Sequence, residues 1–257
     1  MLPADSPRAA AQGAPAVFSS VADTAALRAV AEGPDGIVAG LEAGAVWVEM
    51  STVSPAAIQE LAAVAAARGA TLLDAPVSGS GGTVEQGQLS IYVGGDEAGV
   101  ERVRPYLSAL GPTISRVGPV GSAATMKIAI NLGLAVQMVA FSESVLLAER
   151  AGIDRAAAVE AILRSVAASP MLKYRGPFVL GMPDEAWFNV AMMQKDVRLA
   201  LELGREAKVP LLTTAVANEL LSAARAMGLA GQDCAAVFDV LAKMSGAPES
   251  RKAKGGQ

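Results

Sequence analysis

The chain has no histidine, and its 257 residues include a single cysteine, Cys234. Without imidazole there is no His general base, no Ser–His or Cys–His nucleophile pair and no His-ligated metal. One cysteine allows neither a disulfide nor a thiolate metal cluster. In "QDCAAVFDVLAKM" it falls in the apolar phase, where a buried structural thiol is expected. Any acid–base chemistry is therefore left to Lys, Asp, Glu or Tyr. Charge is also scarce: the net value is −4, and no Lys/Arg cluster precedes the tail "SRKAKGGQ". A nucleic-acid footprint is not expected on such a surface. The start "MLPADSPRAAAQGAP" lacks the basic-then-apolar order of a secretory signal, and the longest apolar run is interrupted by Asn131 and Gln137. The expectation is a soluble protein of the reducing cytoplasm with no membrane partner.

What is present changes character halfway. "AVFSSV" (16 to 21), "AVWVEM" (45 to 50), "ATLLD" (70 to 74), "LSIYVGG" and "TISRVG" read as strands. Helical patterns separate them: "DTAALRAVAE", "AAIQELAAVAAARG" opened by Ser54-Pro55, and "EAGVERVRPYLSALG" opened by Asp96. After "GPVG" (118 to 121) the strand signal ends, residues 122 to 152 read as one long helix, and further helical segments follow. This predicts an α/β domain over residues 1–120 with an at least partly parallel sheet, an all-α domain over 121–247 and a disordered tail over 248–257. A nucleotide-binding α/β domain should open with a strand and a Gly-x-Gly-x-x-Gly turn, and none is visible. "GSGG" (79 to 82) is no substitute, since Val84 takes the last Gly position and a strand is expected to follow.

Four stretches can carry chemistry. In "ATMKIAINLG", Lys127 and Asn131 are four apart, so on a helix they share a face. A lysine there is either a proton donor beside an amide or a snorkelling surface residue. In "DAPVSGSGG", Ser78, Gly79, Ser80 and Gly81 follow a strand, as an anion nest or an ordinary Ser/Gly loop. "EMSTVSP" puts Ser51 and Thr52 at a strand's carboxyl end, where ligand binding and helix capping compete; Ser54 reads as a cap. "FNVAMMQKDVRLALELG" places Lys195 and Asp196 early in a helix, a pairing common on solvated faces, with Met192 and Met193 as core filler.

Taken in order, these motifs resemble the β-hydroxyacid dehydrogenase family, and within it the glyoxylate/succinic semialdehyde reductase branch. The likeness runs from about residue 16 to 245 through "DAPVSGSGGTVEQGQLSIYVGGDE", "GSAATMKIAINLGLAVQMVAFSESVLLAERAGID" and "QKDVRLALELGREAKVPLLTTAVANELLSAARAMG". It implies a Rossmann-like dinucleotide-binding domain, truncated here, joined by a long interdomain helix to an all-α domain that forms a homodimer or homotetramer. It implies Lys127 as general acid/base and Asn131 as its catalytic neighbour. Ser78, Gly79 and Ser80 would hold the substrate carboxylate, with Phe188 and Asp196 shaping the site and orienting the lysine. Thr52 and Lys195 would face the cofactor, NADP or NAD with NADP slightly favoured. The substrate would be a small aldehyde acid reduced to its hydroxy acid. The 6-phosphogluconate enzymes carry a histidine just before the helix asparagine, where this chain has Ile130; imine reductases usually replace the lysine. The family's first strand and glycine-rich turn are missing from the sequence, so weak dinucleotide binding is expected. A non-catalytic dimerisation or ligand-binding remnant is the alternative.

Overall fold

The computed structural model describes residues 3–79 and 81–252. The chain folds as two compact units, Met1–Ala129 and Ile130–Gln257, divided within one continuous helix.

The first unit begins with α1 (Pro7–Ala11), β1 (Ala16–Ser19), α2 (Thr24–Ala31), α3 (Ile37–Gly40), β2 (Val46–Glu49), α4 (Pro55–Ala67) and β3 (Thr71–Asp74). It continues through β4 (Val77–Ser78), α5 (Gly81–Glu85), β5 (Ser90–Gly94), α6 (Glu97–Leu110), β6 (Thr113–Gly118) and the start of α7 (Ser122–Arg150). The strands and long helices expected from the pattern are present. Helix α5 is a correction: "GSGG" leads into a short helix, and Gln88 N–H returns to the Thr83 carbonyl at 2.8 Å before β5 begins. Helix α1 was not anticipated, although its cap was visible: Ser6 Oγ accepts the Ala9 N–H at 3.1 Å and Pro7 opens the first turn.

The strands β1, β2 and β3 run parallel, as helical crossovers require. Strand β5 joins β3 antiparallel through Asp74 and Gly94, β6 runs parallel to β5, and β4 pairs antiparallel with β5. Strand β2 is buried on both faces. Val46 and Val48 pack with Leu73, Ile91 and the α6 residues Val100, Val103 and Leu107. Trp47 and Leu72 pack with Leu27 of α2 and Ile58 and Leu61 of α4. A continuous apolar run is what a strand covered on both sides needs.

The second unit holds the rest of α7, then α8 (Arg155–Arg164), α9 (Pro170–Arg175), β7 (Gly181–Met182), α10 (Val190–Glu206), α11 (Leu212–Ala226), α12 (Val237–Ser245) and β8 (Arg251–Lys252). Its core joins Met138, Phe141 and Val145 of α7 to Val190, Met193 and Val197 of α10, Leu221 of α11 and Phe238 of α12. Cys234 is buried among them, and burial pushes its thiol up to about 12. The segment after residue 247 is fastened through residue 252. The N–H and Oγ of Ser250 donate to Asp239 at 2.5 and 2.8 Å, Arg155 donates to the carbonyls of Pro248 and Glu249, and β8 pairs with β7. The remainder of the expected tail lies outside the described residues.

With 29 residues, α7 is long and apolar enough, by length and composition alone, to cross a bilayer. The core helix of a globular protein meets the same test, and Ile128, Met138, Phe141 and Val145 are buried inside this one.

Candidate active site

The carboxyl ends of β1, β2 and β3 carry a row of register-matched polar residues, Ser19 beside Glu49 and Glu49 beside Asp74. All three are buried, Glu49 and Asp74 to 0% and 1% exposure. Glu49 Oε1 accepts the Ser51 N–H at 2.7 Å, and Oε2 accepts the Ser19 hydroxyl. The Ser19 oxygen in turn accepts the Trp47 indole N–H at 2.7 Å. Ser51 Oγ accepts the Val21 N–H at 2.7 Å, so the turn after β2 is held from both sides. Asp74 reaches the start of α7: Oδ1 accepts the Gly121 N–H at 2.8 Å and Oδ2 the Ala124 N–H at 2.7 Å. Two of the helix's orphan amides are thus satisfied from another strand. Gly94 leaves the room, since a Cβ there would lie 2.3 Å from Asp74 Oδ1.

Burial pushes both carboxyls above their usual range. The hydrogen bonds from Ser19 and Ser51 oppose this at Glu49, and those from Ala124 and Gly121 oppose it at Asp74. Neither carboxylate was singled out as a site candidate from the sequence. The available signal was an acidic residue closing each of the apolar runs "VWVE" and "TLLD".

Of the residues anticipated in this unit, Thr52 is half-buried in the turn between β2 and α4, and Ser54 caps α4 as expected. Ser78 is half-buried in β4, opposite Ser90. Gly79 follows, where a Cβ would come within 2.2 Å of Thr83 Oγ1 and 2.6 Å of Leu89 Cδ2. Ser80 lies outside the described residues. Lys127 is half-buried in the second turn of α7.

In the second unit Asn131, one turn further along α7, is 2% exposed and donates from Nδ2 to Asp196 Oδ2 at 2.5 Å. Its Oδ1 is buried and accepts no hydrogen bond among the described residues. Asp196 Oδ1 lies 2.8 Å from Lys195 Nζ. The solvated-face reading of this pair is corrected: the Asp196 side chain is 1% exposed and the Lys195 side chain 20%. The structure thus brings Asn131, Asp196 and Lys195 into one array.

Phe188 stands just before α10, which Asn189 caps by accepting the Met192 N–H at 2.8 Å. The Phe188 N–H donates to Asp233 Oδ2 at 3.2 Å, and its carbonyl accepts the Cys234 N–H at 2.9 Å. Asp233 also accepts from Trp187 and Ala235 and pairs with Arg175. This anchor went unread in the sequence, because Arg175 and Asp233 are 58 positions apart.

Thr52 follows the carboxyl end of the parallel strand β2, the edge where α/β sheets take ligands and where a dinucleotide would lie. The helices after β1 and β2 are each capped by a side chain that satisfies one first-turn amide, the Asp23 carboxylate on Ala26 N–H at 2.8 Å and the Ser54 hydroxyl on Ala57 N–H at 3.5 Å. A carboxylate at a helix N-terminus takes the place a phosphate would use.

Residues 1–118 match the family described as the NAD binding domain of 6-phosphogluconate dehydrogenase, and residues 121–241 the NAD-binding domain of NADP-dependent 3-hydroxyisobutyrate dehydrogenase. The chain is 36% identical to 2-(hydroxymethyl)glutarate dehydrogenase of Eubacterium barkeri over 90% of its own length and 77% of that protein's. It is 33% identical to glyoxylate/succinic semialdehyde reductase 2 of Arabidopsis thaliana, covering 87% of this chain but 63% of that one. A crystal structure of 3-hydroxyisobutyrate dehydrogenase from Salmonella typhimurium superposes with a TM-score of 0.82 at 28% identity, over 91% of this chain and 82% of the other. Sequence likeness, fold and the ordered motifs agree: the chain belongs to the 3-hydroxyisobutyrate dehydrogenase-like family of NAD(P)-dependent β-hydroxyacid dehydrogenases.

Proposed function

We propose that the chain reduces a small aldehyde acid of the glyoxylate or succinic semialdehyde type to its hydroxy acid, with Lys127 as proton donor. The observation that carries this reading is the buried hydrogen bond from Asn131, one turn along α7 from Lys127, to Asp196 of α10. A carboxylate sealed at 1% exposure costs stability unless it is paired, and Asn131 and Lys195 both meet it. Reduction of an aldehyde develops negative charge on the carbonyl oxygen, and an ammonium within hydrogen-bond reach neutralises it by giving up a proton. A reduced nicotinamide, when bound, supplies the hydride.

In this reading Ser78, Gly79 and Ser80 hold the substrate carboxylate, which fixes the face of the carbonyl. Phe188 walls the site, Asp196 orients the lysine through Asn131, and Thr52 and Lys195 face the cofactor. The cofactor is NADP or NAD, with NADP slightly favoured, the helical unit forms the homodimer or homotetramer contact, and the compartment is the cytoplasm.

The test is oxidation of NADPH and NADH with glyoxylate and succinic semialdehyde, and the reverse reaction with 3-hydroxyisobutyrate. Lys127→Ala should lower kcat by about 10²–10⁴-fold. If turnover is absent, or if the lysine variant retains it in full, the reading fails.

A second reading, a ligand-binding or dimerisation module without turnover, is favoured by the Asp23 carboxylate at the start of α2, which competes with a pyrophosphate for that helix end. Calorimetric titration with NADPH separates the two. Micromolar affinity sinks the module reading.

A further inference from the structure

Two carboxylates on neighbouring strands of a sheet interior need a reason, since burying ionisable groups costs stability that apolar residues at those positions would not cost. Glu49 and Asp74 are register partners at the carboxyl ends of β2 and β3, and their side chains reach for different things. Glu49 turns to the chain that follows its own strand, taking the Ser51 N–H beside Thr52. Asp74 takes the N–H of Gly121, just before α7, and that of Ala124 in its first turn. Ala124 is three residues before Lys127, so the carboxylate is anchored ~4.5 Å along the helix axis from the lysine. Asp74 also opens the "DAPVSG" stretch, four residues before Ser78. One side chain therefore ties the short segment that leads into β4 and Ser78 to the helix that bears Lys127.

We infer that Glu49 and Asp74 are paired positioning residues: Asp74 fixes where the helix presents Lys127 relative to Ser78 of β4, and Glu49 fixes the turn that presents Thr52. The roles of Lys127 and Thr52 are those of the preceding reading, on which this inference rests. Neither carboxylate touches a reacting atom. Asp74→Asn turns one acceptor into an N–H facing another N–H, which loosens the start of α7 and lets Lys127 wander. Glu49→Gln disturbs the Ser19 and Ser51 contacts and leaves the α7 cap alone.

The experiment compares wild type, Asp74→Asn, Glu49→Gln and Gly94→Ala. The last keeps the Asp74 carboxylate but pushes it off its seat, since the added Cβ would lie 2.3 Å from Oδ1. Kinetics with NADPH and glyoxylate are run beside competitive acetylation by acetic anhydride, with Lys127 read against exposed Lys243 by mass spectrometry. Asp74→Asn and Gly94→Ala should each lower kcat by about 10–100-fold, with a smaller change in the KM for NADPH. Both should alter the relative acetylation of Lys127 several-fold. Glu49→Gln should place its loss in the KM for NADPH and leave Lys127 acetylation unchanged.

Equal losses of the same kind in both carboxylate variants would overturn the inference. So would wild-type acetylation of Lys127 in Asp74→Asn and Gly94→Ala, with only the melting temperature lowered. If wild type shows no turnover, the reductase reading falls, and the acetylation contrast still decides whether Asp74 positions Lys127. Should Asp74→Asn fail to fold, Gly94→Ala carries that arm.

Discussion

Arg175 and Asp233 meet through two parallel hydrogen bonds, Nε to Oδ1 at 2.8 Å and Nη2 to Oδ2 at 3.3 Å, with side chains 4% and 0% exposed. The same carboxylate accepts the N–H groups of Trp187, Phe188 and Ala235, so the ion pair sets the approach to α10. Removing one partner strands the other without water. Asp233→Asn or Arg175→Met should therefore cost about 3–5 kcal/mol in urea unfolding. The double variant should cost less than the sum of the two, because no buried charge is left alone.

Asn131→Asp would set a second carboxylate against Asp196 Oδ2, where the amide now sits at 2.5 Å. Two such groups cannot both ionise in a buried site, so one holds its proton to higher pH. The variant should lose about 2–4 kcal/mol near pH 7 and recover part of it as the pH falls. Urea midpoints at several pH values check this; a pH-independent loss would count against the like-charge explanation.

Gly79→Ala places a methyl group 2.2 Å from Thr83 Oγ1 and 2.6 Å from Leu89 Cδ2. The expected cost is about 1–3 kcal/mol by overpacking. Thr83→Ala in the same background should return part of it, and thermal melts of the single and double variants measure how much. Under the reductase reading, Gly79→Ala also raises the KM for glyoxylate, because Ser78 is its neighbour in the chain.

Burial holds the carboxyls of Glu49, Asp74 and Asp239 above their ordinary values of 4.5 for Glu and 3.8 for Asp. The folded chain then keeps these protons at pH values where the unfolded chain has released them. Their contribution to stability is fully present below the unfolded values and is lost as pH rises through the folded ones. The urea midpoint should therefore fall as pH is raised from 4.5. Glu49→Gln removes one of the three groups and should make that slope shallower. An unchanged slope would mean that Glu49 does not titrate in this window.

Much of this was readable from local pattern. Ser54-Pro55 announced α4, Asp96 announced α6, and the loss of strand signal after residue 118 announced the helical unit. The motif order carried the family. What escaped was long-range. Nothing local says that Asp74 caps a helix beginning 48 residues later at Ser122, or that Arg175 finds Asp233. The direction of β5 against β3 was likewise hidden, because alternation marks a strand without naming its neighbour. The burial of Asp196 was not legible from its own stretch, because adjacency to Lys195 says nothing about which helix face is covered.

The lone thiol of Cys234 lies among Ala135, Met138, Met193 and Leu221 and is held near 12. Since only the thiolate reacts, a thiol reagent must wait until the helical core around it opens. The chain therefore carries its own stopwatch: with one sulfhydryl to count, the labelling rate records how often these helices part.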